Sequence, residues 1–398
     1  MNPPVSLETA VATLLTGLIP LPGESVFVGD ATGRCPVHGC PAASAVPPFD
    51  NSAMDGYAVR SADTLTTSPR LRLTGTMAAG DPPTGNVSPG TALRIFTGAP
   101  LPSGADAVVM QEDVELDPDG LHIRVLEPVT PWENVRFRGE DVPLGATLVS
   151  AGVPLGPQHL AILLASGIER IEVHRAPRVI LIANGSELRP AGVPLAAGQI
   201  YESNTAMLAS LIRRAGAQPL RTHCVADDPV QLRNTLEAAF ADADAVVTVG
   251  GASVGDHDLV RSSLMAAGGL IDFWRVAIKP GKPFLHGQLH GKPLFGLPGN
   301  PVSAFVTAVV LLLPALRRLQ GNLDCRPPTR SATWLTAVEN PDTRRHFVRV
   351  VTDEEGRIRL SGPQGSHRMA SLAAADGLVD LAPGSRHAAG ESARVLCW

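Results

Sequence analysis

Several glycine-bearing segments in the second half of the chain carry residue types that could handle an anion. VVTVGGASVGDHD sets Gly250, Gly251 and Ser253 between an apolar run and the acids Asp256 and Asp258. Glycines let backbone N–H groups approach an anion, and a helix opening at the acids would add its partial positive charge. A tight structural turn with Asp256 and Asp258 as helix caps is the bland alternative. IKPGKPF places Lys279 and Lys282 around Pro280–Gly281, and a stiff turn bearing two ammonium groups suits a tetrahedral oxyanion. LFGLPGNPVS adds another Gly-rich turn, with Asn300 and Ser303 at a helix start.

The first half offers different chemistry. In PPFDNSAMDGYAVR, Asp50 and Asp55 bracket a small-residue loop. They could hold a hydrated Mg²⁺ or a polar ligand, or simply staple a turn through Asx bonds. RIFTGAP ends a strand at Thr97–Gly98, and NVRFRGEDV sets Arg136 and Arg138 two apart before Glu140 and Asp141. On a strand that spacing shares one face. An Arg pair beside acids suits phosphate plus metal, and equally a surface salt-bridge cluster.

The elements that must position these residues follow from periodicity. Ser6 to Leu18 reads as a helix capped by Ser6. From Pro20 to Val153, short runs such as LRLTG, ALRIFTG, AVVMQEDVEL and HIRVLEP alternate with Gly/Pro turns and predict a β-rich region. Gly156 to Ile168 reads as a helix. From Arg175, buried strands (RVILIANG, DAVVTVGG, LFGL) alternate with helices (ESNTAMLASLIRRAG, DPVQLRNTLEAAF, DHDLVRSSLMAAGG, NPVSAFVTAVVLLL). That alternation predicts a doubly wound, mostly parallel sheet, with ligands at the carboxyl ends of its strands. After Pro327–Pro328, short strands (SATWLTAV, HFVRVV, RIRLSG, SARVLCW) predict a small C-terminal β-barrel or sandwich. The expected organisation is a β-rich region over 1–174 in two subdomains, an α/β domain over 175–325 and a barrel over 326–398.

Composition narrows the function. Hydrophobic residues at 44% against 18% charged mark a globular chain. A net charge of −5 without any Lys/Arg run argues against nucleic acid, so an anion site must be a local pocket. Cys35, Cys40, Cys224, Cys325 and Cys397 are an odd, scattered set that suits a reducing cytoplasm. His38 between Cys35 and Cys40 invites zinc, but no second Cys/His pair completes four ligands. The N-terminus lacks the basic start of a signal peptide. The apolar run Pro301–Leu316 falls short of the roughly 18 residues a membrane span needs and contains Pro314. It reads as a buried or interface helix. Val302–Leu313 carries no charge, so it needs cover all round, part of it expected from a second subunit.

Taken in order, PFDNSAMDGYAVR, RIFTGAP, RGED, GGASVGDHD, IKPGKPF, GLPGNPVS and the later QGSHRMASL resemble the molybdopterin molybdenumtransferases, which include gephyrin's enzymatic domain. The resemblance spans nearly the whole chain. It implies a homodimer whose ligand cleft lies between the α/β domain of one subunit and the N-terminal β domain of the other. It implies a cytoplasmic enzyme that takes adenylylated molybdopterin and molybdate with Mg²⁺, releases AMP and leaves Mo on the dithiolene. Other molybdenum-cofactor biosynthesis proteins are implied partners. By position, the family's functional acids fall on Asp55, Asp141, Glu187, Asp227 and Asp258, with Asp227 and Asp258 the Mg²⁺ ligands, and its hydroxyl on Thr97. Its anion-binding groups fall on Lys279, Lys282, Arg349 and Ser366. The family's Thr-Gly-Asp-Glu-Leu reads Asn184-Gly185-Ser186-Glu187-Leu188 here, and a lysine often found after the Phe-Trp pair is Arg275. A related adenylyltransferase, which is essentially the α/β domain alone, and a non-catalytic scaffold are the competing readings.

Overall fold

The computed structural model describes residues 3–251 and 259–398; Ser253, Asp256 and Asp258 lie outside them. The α/β part is a six-stranded sheet in the order Gln218–Val225, Arg178–Asn184, Ala245–Val249, Lys292–Leu297, Pro283–Leu289, Leu270–Arg275. The first four run parallel, and Pro283–Leu289 runs antiparallel to its neighbours on both sides. The sheet's second strand carries an unbroken apolar run, Val179 to Ala183, because both its faces are buried. Val179, Leu181 and Ala183 join one core, while Ile180 and Ile182 join the other. The mostly parallel sheet expected from the sequence is therefore present, with three strands the periodicity did not reveal. Two of them, Gln218–Val225 and Leu270–Arg275, are edge strands whose burial is too patchy to print a pattern. The third carries His286, buried and 2.8 Å from Asp272, which breaks the apolar run.

Helix Leu7–Gly17 is capped by Ser6, whose hydroxyl accepts the Thr9 N–H at 3.0 Å, as expected. It buries Ala10 and Leu14 in the α/β core and not in the β region that follows it. That β region is a second six-stranded sheet, in the order Ala107–Met110, Gly56–Val59, Thr91–Ile95, Arg70–Met77, His122–Val125, Val114–Leu116. Beside it, Gly23–Phe27 pairs with Arg170–His174 around a separate small core that includes Leu155 and Leu163 of the helix Pro157–Ala165. At the C-terminus five strands close a barrel: Arg345–Thr352, Arg357–Leu360, Thr329–Trp334, Ser392–Leu396 and Gly377–Leu381, the last returning to the first. Gly377–Leu381 (GLVDL) had no counterpart among the expected strands.

The apolar helix is longer than its apolar run. Pro301–Thr307, a π-helical stretch Ala308–Leu312 and Leu313–Leu319 are continuous over 19 residues. The π stretch ends two residues before Pro314, so a wider turn accommodates the missing N–H and the ring. By length and composition this helix could cross a membrane, but 89% of it is buried inside the chain. The chain's own sheet, first helix and barrel supply that cover. The helix therefore offers little surface to a second subunit, contrary to the expectation from its composition.

Leu311 is fully buried at the middle of this helix. Leu311→Ala is expected to cost about 2–5 kcal/mol, seen as a lower urea midpoint for unfolding of the α/β part.

Candidate active site

Three neighbouring parallel strands end together, at Asn184, Val249 and Leu297. The Gly250 N–H donates to the Leu297 carbonyl at 3.2 Å. Gly250 has φ +83°, and a Cβ there would sit 2.3 Å from the Asn184 carbonyl oxygen. Gly251, at φ +66°, would meet Asn184 Nδ2 at 2.9 Å. Only glycine fits both the backbone conformation and the space, so the edge presents bare backbone. A cavity of about 730 Å³ opens there, lined by Asn184, Glu187, Asp227, Gly250, Gly251 and Asn300, and also by Tyr201, His367 and Met369.

The acids of this edge are held in different ways. Asp227 accepts the Asn184 side-chain amide at 2.6 Å and the Ser186 N–H at 3.0 Å. Ser186 Oγ in turn accepts the Asp227 N–H at 3.0 Å. The departures noted in the sequence thus surround Asp227 with neutral donors. Asn184 is buried, and its Oδ1 has no hydrogen-bond partner among the described residues. Glu187 folds over Gly185, where a Cβ would fall 2.6 Å from its Oε2.

A second cluster lies where the barrel meets the α/β part. Ile278–Lys279 pairs in parallel with Arg345–His346 of the barrel. Lys279 Nζ lies 3.3 Å from Asp342 Oδ2, which also takes Arg344 Nη2 at 3.3 Å. Hydrogen bonds from the Arg344 side chain and backbone, helped by Lys279, hold the Asp342 carboxyl far below its usual range. Arg349 is fully buried. Its guanidinium donates to Ser371 Oγ at 3.1 Å and to the Pro363 and Gly365 carbonyls at 2.8 and 3.3 Å. Its Nη1 is buried without a partner among the described residues. His346 sits between these cations. Burial, then the charges of Lys279 and Arg349, push its imidazole down to about 4.

Lys282 is half-buried on the turn after Lys279, and its ammonium has no partner among the described residues. The turn itself packs tightly: a Cβ on Gly281 (φ +109°) would fall 2.5 Å from Thr307 Cγ2. Ser366 is half-buried, and its carbonyl accepts the Val302 N–H at 3.2 Å. Asn300 caps the helix without a side-chain bond, whereas Ser303 is buried inside the first turn and is not open to the cavity edge.

The N-terminal residues form a third group. Asp55 Oδ1 accepts both the Thr97 N–H and the Thr97 hydroxyl, each at 2.8 Å. These two bonds hold the exposed Asp55 carboxyl below its usual range. Its partner is 42 residues away, so Asp55 does not merely staple its own turn. Asp50 instead accepts the Arg138 N–H at 2.7 Å, tying the RGED loop to it, and Asp141 is exposed on that loop. No hydrogen bond, ion pair or strand pairing among the described residues joins this group to the other two. Asp258 and Ser253 lie outside the described residues, and no cluster of at least three His, Cys, Asp or Glu suited to a metal occurs among those described.

The sequence had not pointed to His346, Asp342, Arg344, Tyr201 or His367. The polar stretch DTRRH beside the HFVRVV strand was the available signal for the first three. His367 lies within QGSHRMASL, where only Ser366 had been singled out.

The N-terminal residues 5–167 match a family model described as the MoeA N-terminal region (domain I and II), residues 180–318 a probable molybdopterin binding domain, and residues 331–398 the MoeA C-terminal region (domain IV). A molybdopterin molybdenumtransferase 2 of Mycobacterium tuberculosis is 40% identical over 84% of this chain and 85% of its own. A molybdopterin molybdenumtransferase of Haemophilus influenzae is 37% identical over 91% of each. The crystal structure of a molybdopterin biosynthesis moeA protein from Pyrococcus horikoshii OT3 superposes with a TM-score of 0.86 over 100% of both chains, at 29% identity. Fold and site therefore define a molybdenum-cofactor biosynthesis protein with its pterin-binding module set between β domains. The chain belongs to the MoeA family of molybdopterin molybdenumtransferases, as its ordered motifs had implied.

Two outcomes follow from this geometry. Gly250→Ala must push against the Asn184 carbonyl in a left-handed conformation, so it should destabilise by more than about 1 kcal/mol and weaken ligand binding at the edge. Calorimetric melting read beside a ligand titration measures both. The second concerns acid. His346, whose ordinary value is 6.5, titrates at about 4 in the fold. The folded chain therefore favours the neutral ring, a contribution complete above pH 6.5 and lost as pH falls through 4. A folded His346→Gln variant should lose less stability between those pH values, measured as melting temperature against pH.

Proposed function

We propose that this chain transfers molybdate to the dithiolene of adenylylated molybdopterin, releasing AMP. One observation carries the reading: Arg349 is fully buried with Nη1 unpartnered among the described residues, and its charge bears on His346 together with that of Lys279. A buried, incompletely satisfied guanidinium is costly unless an anion completes it, and a tetrahedral oxyanion supplies the acceptors. Family membership makes molybdate that oxyanion. Lys279, Lys282, Arg349 and Ser366 hold it at the barrel junction. The Gly250–Gly251 backbone, too tight for any Cβ, leaves room beside Asn300 for the phosphorylated pterin at the carboxyl edge. A pure scaffold has no need of such a buried charge.

Among the described residues Asp55, Thr97 and Asp141 have no link to that edge, so the complete site requires a second copy, and we assign the protein as a homodimer. Mg²⁺ fits the donors present. Asp227 and the unpartnered Asn184 Oδ1 are hard oxygens at the edge, and Mg²⁺ keeps most of its waters and needs few protein ligands. It would neutralise charge on the leaving phosphate. Glu187 and Asp227 orient the water shell and pterin donors around it. Asp55, fixed by its two Thr97 bonds, presents its free Oδ2 toward the phosphate end.

Adenylylated molybdopterin incubated with the purified protein should yield AMP only when molybdate is added; AMP release without molybdate, or none with it, overturns the reading. Asp55→Asn retains an oxygen for both Thr97 bonds but removes the charge. It should remain folded and lose roughly 10²–10³ in turnover, the usual cost of a transition-state contact. Lys282→Ala should fold normally and require higher molybdate for half-maximal AMP release.

A further inference from the structure

Neither the carboxyl edge nor the barrel junction gives a role to Arg136 and Arg138. Their segment lies against the Asp55 loop. Val135–Arg136 pairs antiparallel with Asn51–Ser52, and the Ala53 N–H donates to the Asn134 carbonyl at 2.8 Å. Trp132 and Asn134 both adopt left-handed backbone, with φ +69° and +56°. Asn visits that conformation readily, but for a bulky residue such as Trp132 it is strained, and such strain gathers at ligand clamps and active sites. It leaves Trp132 49% exposed, with its ring against Phe137, which is 42% exposed. The two ring centroids are 5.5 Å apart at an interplanar angle of 56°.

An aromatic pair held outward by strained backbone is a surface for another flat ring. The charges beside it select the ligand further. Arg136 and Arg138 are exposed, and neither side chain has an ion pair or hydrogen bond among the described residues. Arg94, by contrast, is spent inside its own domain, lying 4.7 Å from the Tyr57 ring centroid and 5.2 Å from that of Phe96. Stacking rings next to free guanidiniums recognise a planar heteroaromatic ring that carries a phosphate.

We propose that Trp132 and Phe137 stack such a ring of the substrate while Arg136 and Arg138 neutralise its phosphate, next to Asp55 and Thr97. The inference rests on the function proposed above and deepens it, because the adenine and pterin ends of that substrate are both flat rings joined to phosphate. It makes this loop a determinant of which nucleotide or pterin the site accepts.

The test is equilibrium titration of the full-length protein with AMP and, separately, with a phosphorylated pterin lacking the nucleotide, followed by tryptophan fluorescence and calorimetry. Trp132→Ala should weaken one of the two by about 5- to 100-fold, and Trp132→Phe by much less. The ligand affected identifies the ring that is stacked. The Arg136→Gln/Arg138→Gln double variant should weaken the same ligand and flatten its salt dependence. Unchanged affinity for both ligands overturns the proposal. So does a Trp132→Ala protein whose sedimentation mass differs from that of the unaltered chain, because the patch is then a subunit interface. If the unaltered protein binds AMP through Trp132 yet releases none from substrate on adding molybdate, the proposed function fails and the platform stands.

Discussion

Burying the helix that starts at Pro301 on every side is the constraint to which the rest of the molecule answers. An apolar helix with no polar face must be enclosed, and the enclosing pieces come from distant parts of the chain. Its first turn also has orphan N–H groups to satisfy. One of them, on Val302, is met by the Ser366 carbonyl, which draws the barrel loop onto the helix start. The Thr307 methyl presses on the Gly281 turn and fixes the lysines, while the Gly299 carbonyl before the helix accepts the Asn204 amide at 2.8 Å. The Gly281 turn and the barrel loop at Ser366 are each packed against this one element.

Much of this was readable beforehand where one force dominated. Runs buried on both faces, such as Arg178–Asn184 and Ala245–Val249, announce themselves by continuous apolarity. The Gly250–Gly251 turn was legible because glycine types report backbone demand directly, and the structure supplies the atoms that impose it. Edge strands were not legible, since a half-covered strand such as Gln218–Val225 mixes Arg221 and His223 with its apolar residues. Ser303 looked available from its position at a helix start, but the first turn faces inward. Pairings across long separations were out of reach as well. Nothing in the spacing of Asp55 and Thr97, or of Lys279 and Asp342, says that they meet.

The carboxyl edge also shows how a departure from a family pattern can be absorbed locally. Asn184 and Ser186 stand where the related motif has a hydroxyl and a carboxylate. Here they engage Asp227 through an amide and a backbone N–H, so its charge stays oriented with one acid fewer at the edge. The freed acceptor is Asn184 Oδ1, buried and neutral. The exchange trades formal charge for directed dipoles, which lowers self-repulsion among the remaining acids.

The barrel's attachment has a thermodynamic consequence. Lys279 belongs to the α/β part and Arg349 to the barrel, yet both charges bear on His346, with Asp342 the carboxylate paired to Lys279. Positive charge gathered around one buried imidazole at a seam is self-repelling, and an acid shared between Lys279 and Arg344 offsets that only in part. A divalent anion seated at this seam would act as an electrostatic rivet. By reciprocity, whatever free energy the closed seam lends to holding the anion, the anion must return to holding the seam closed.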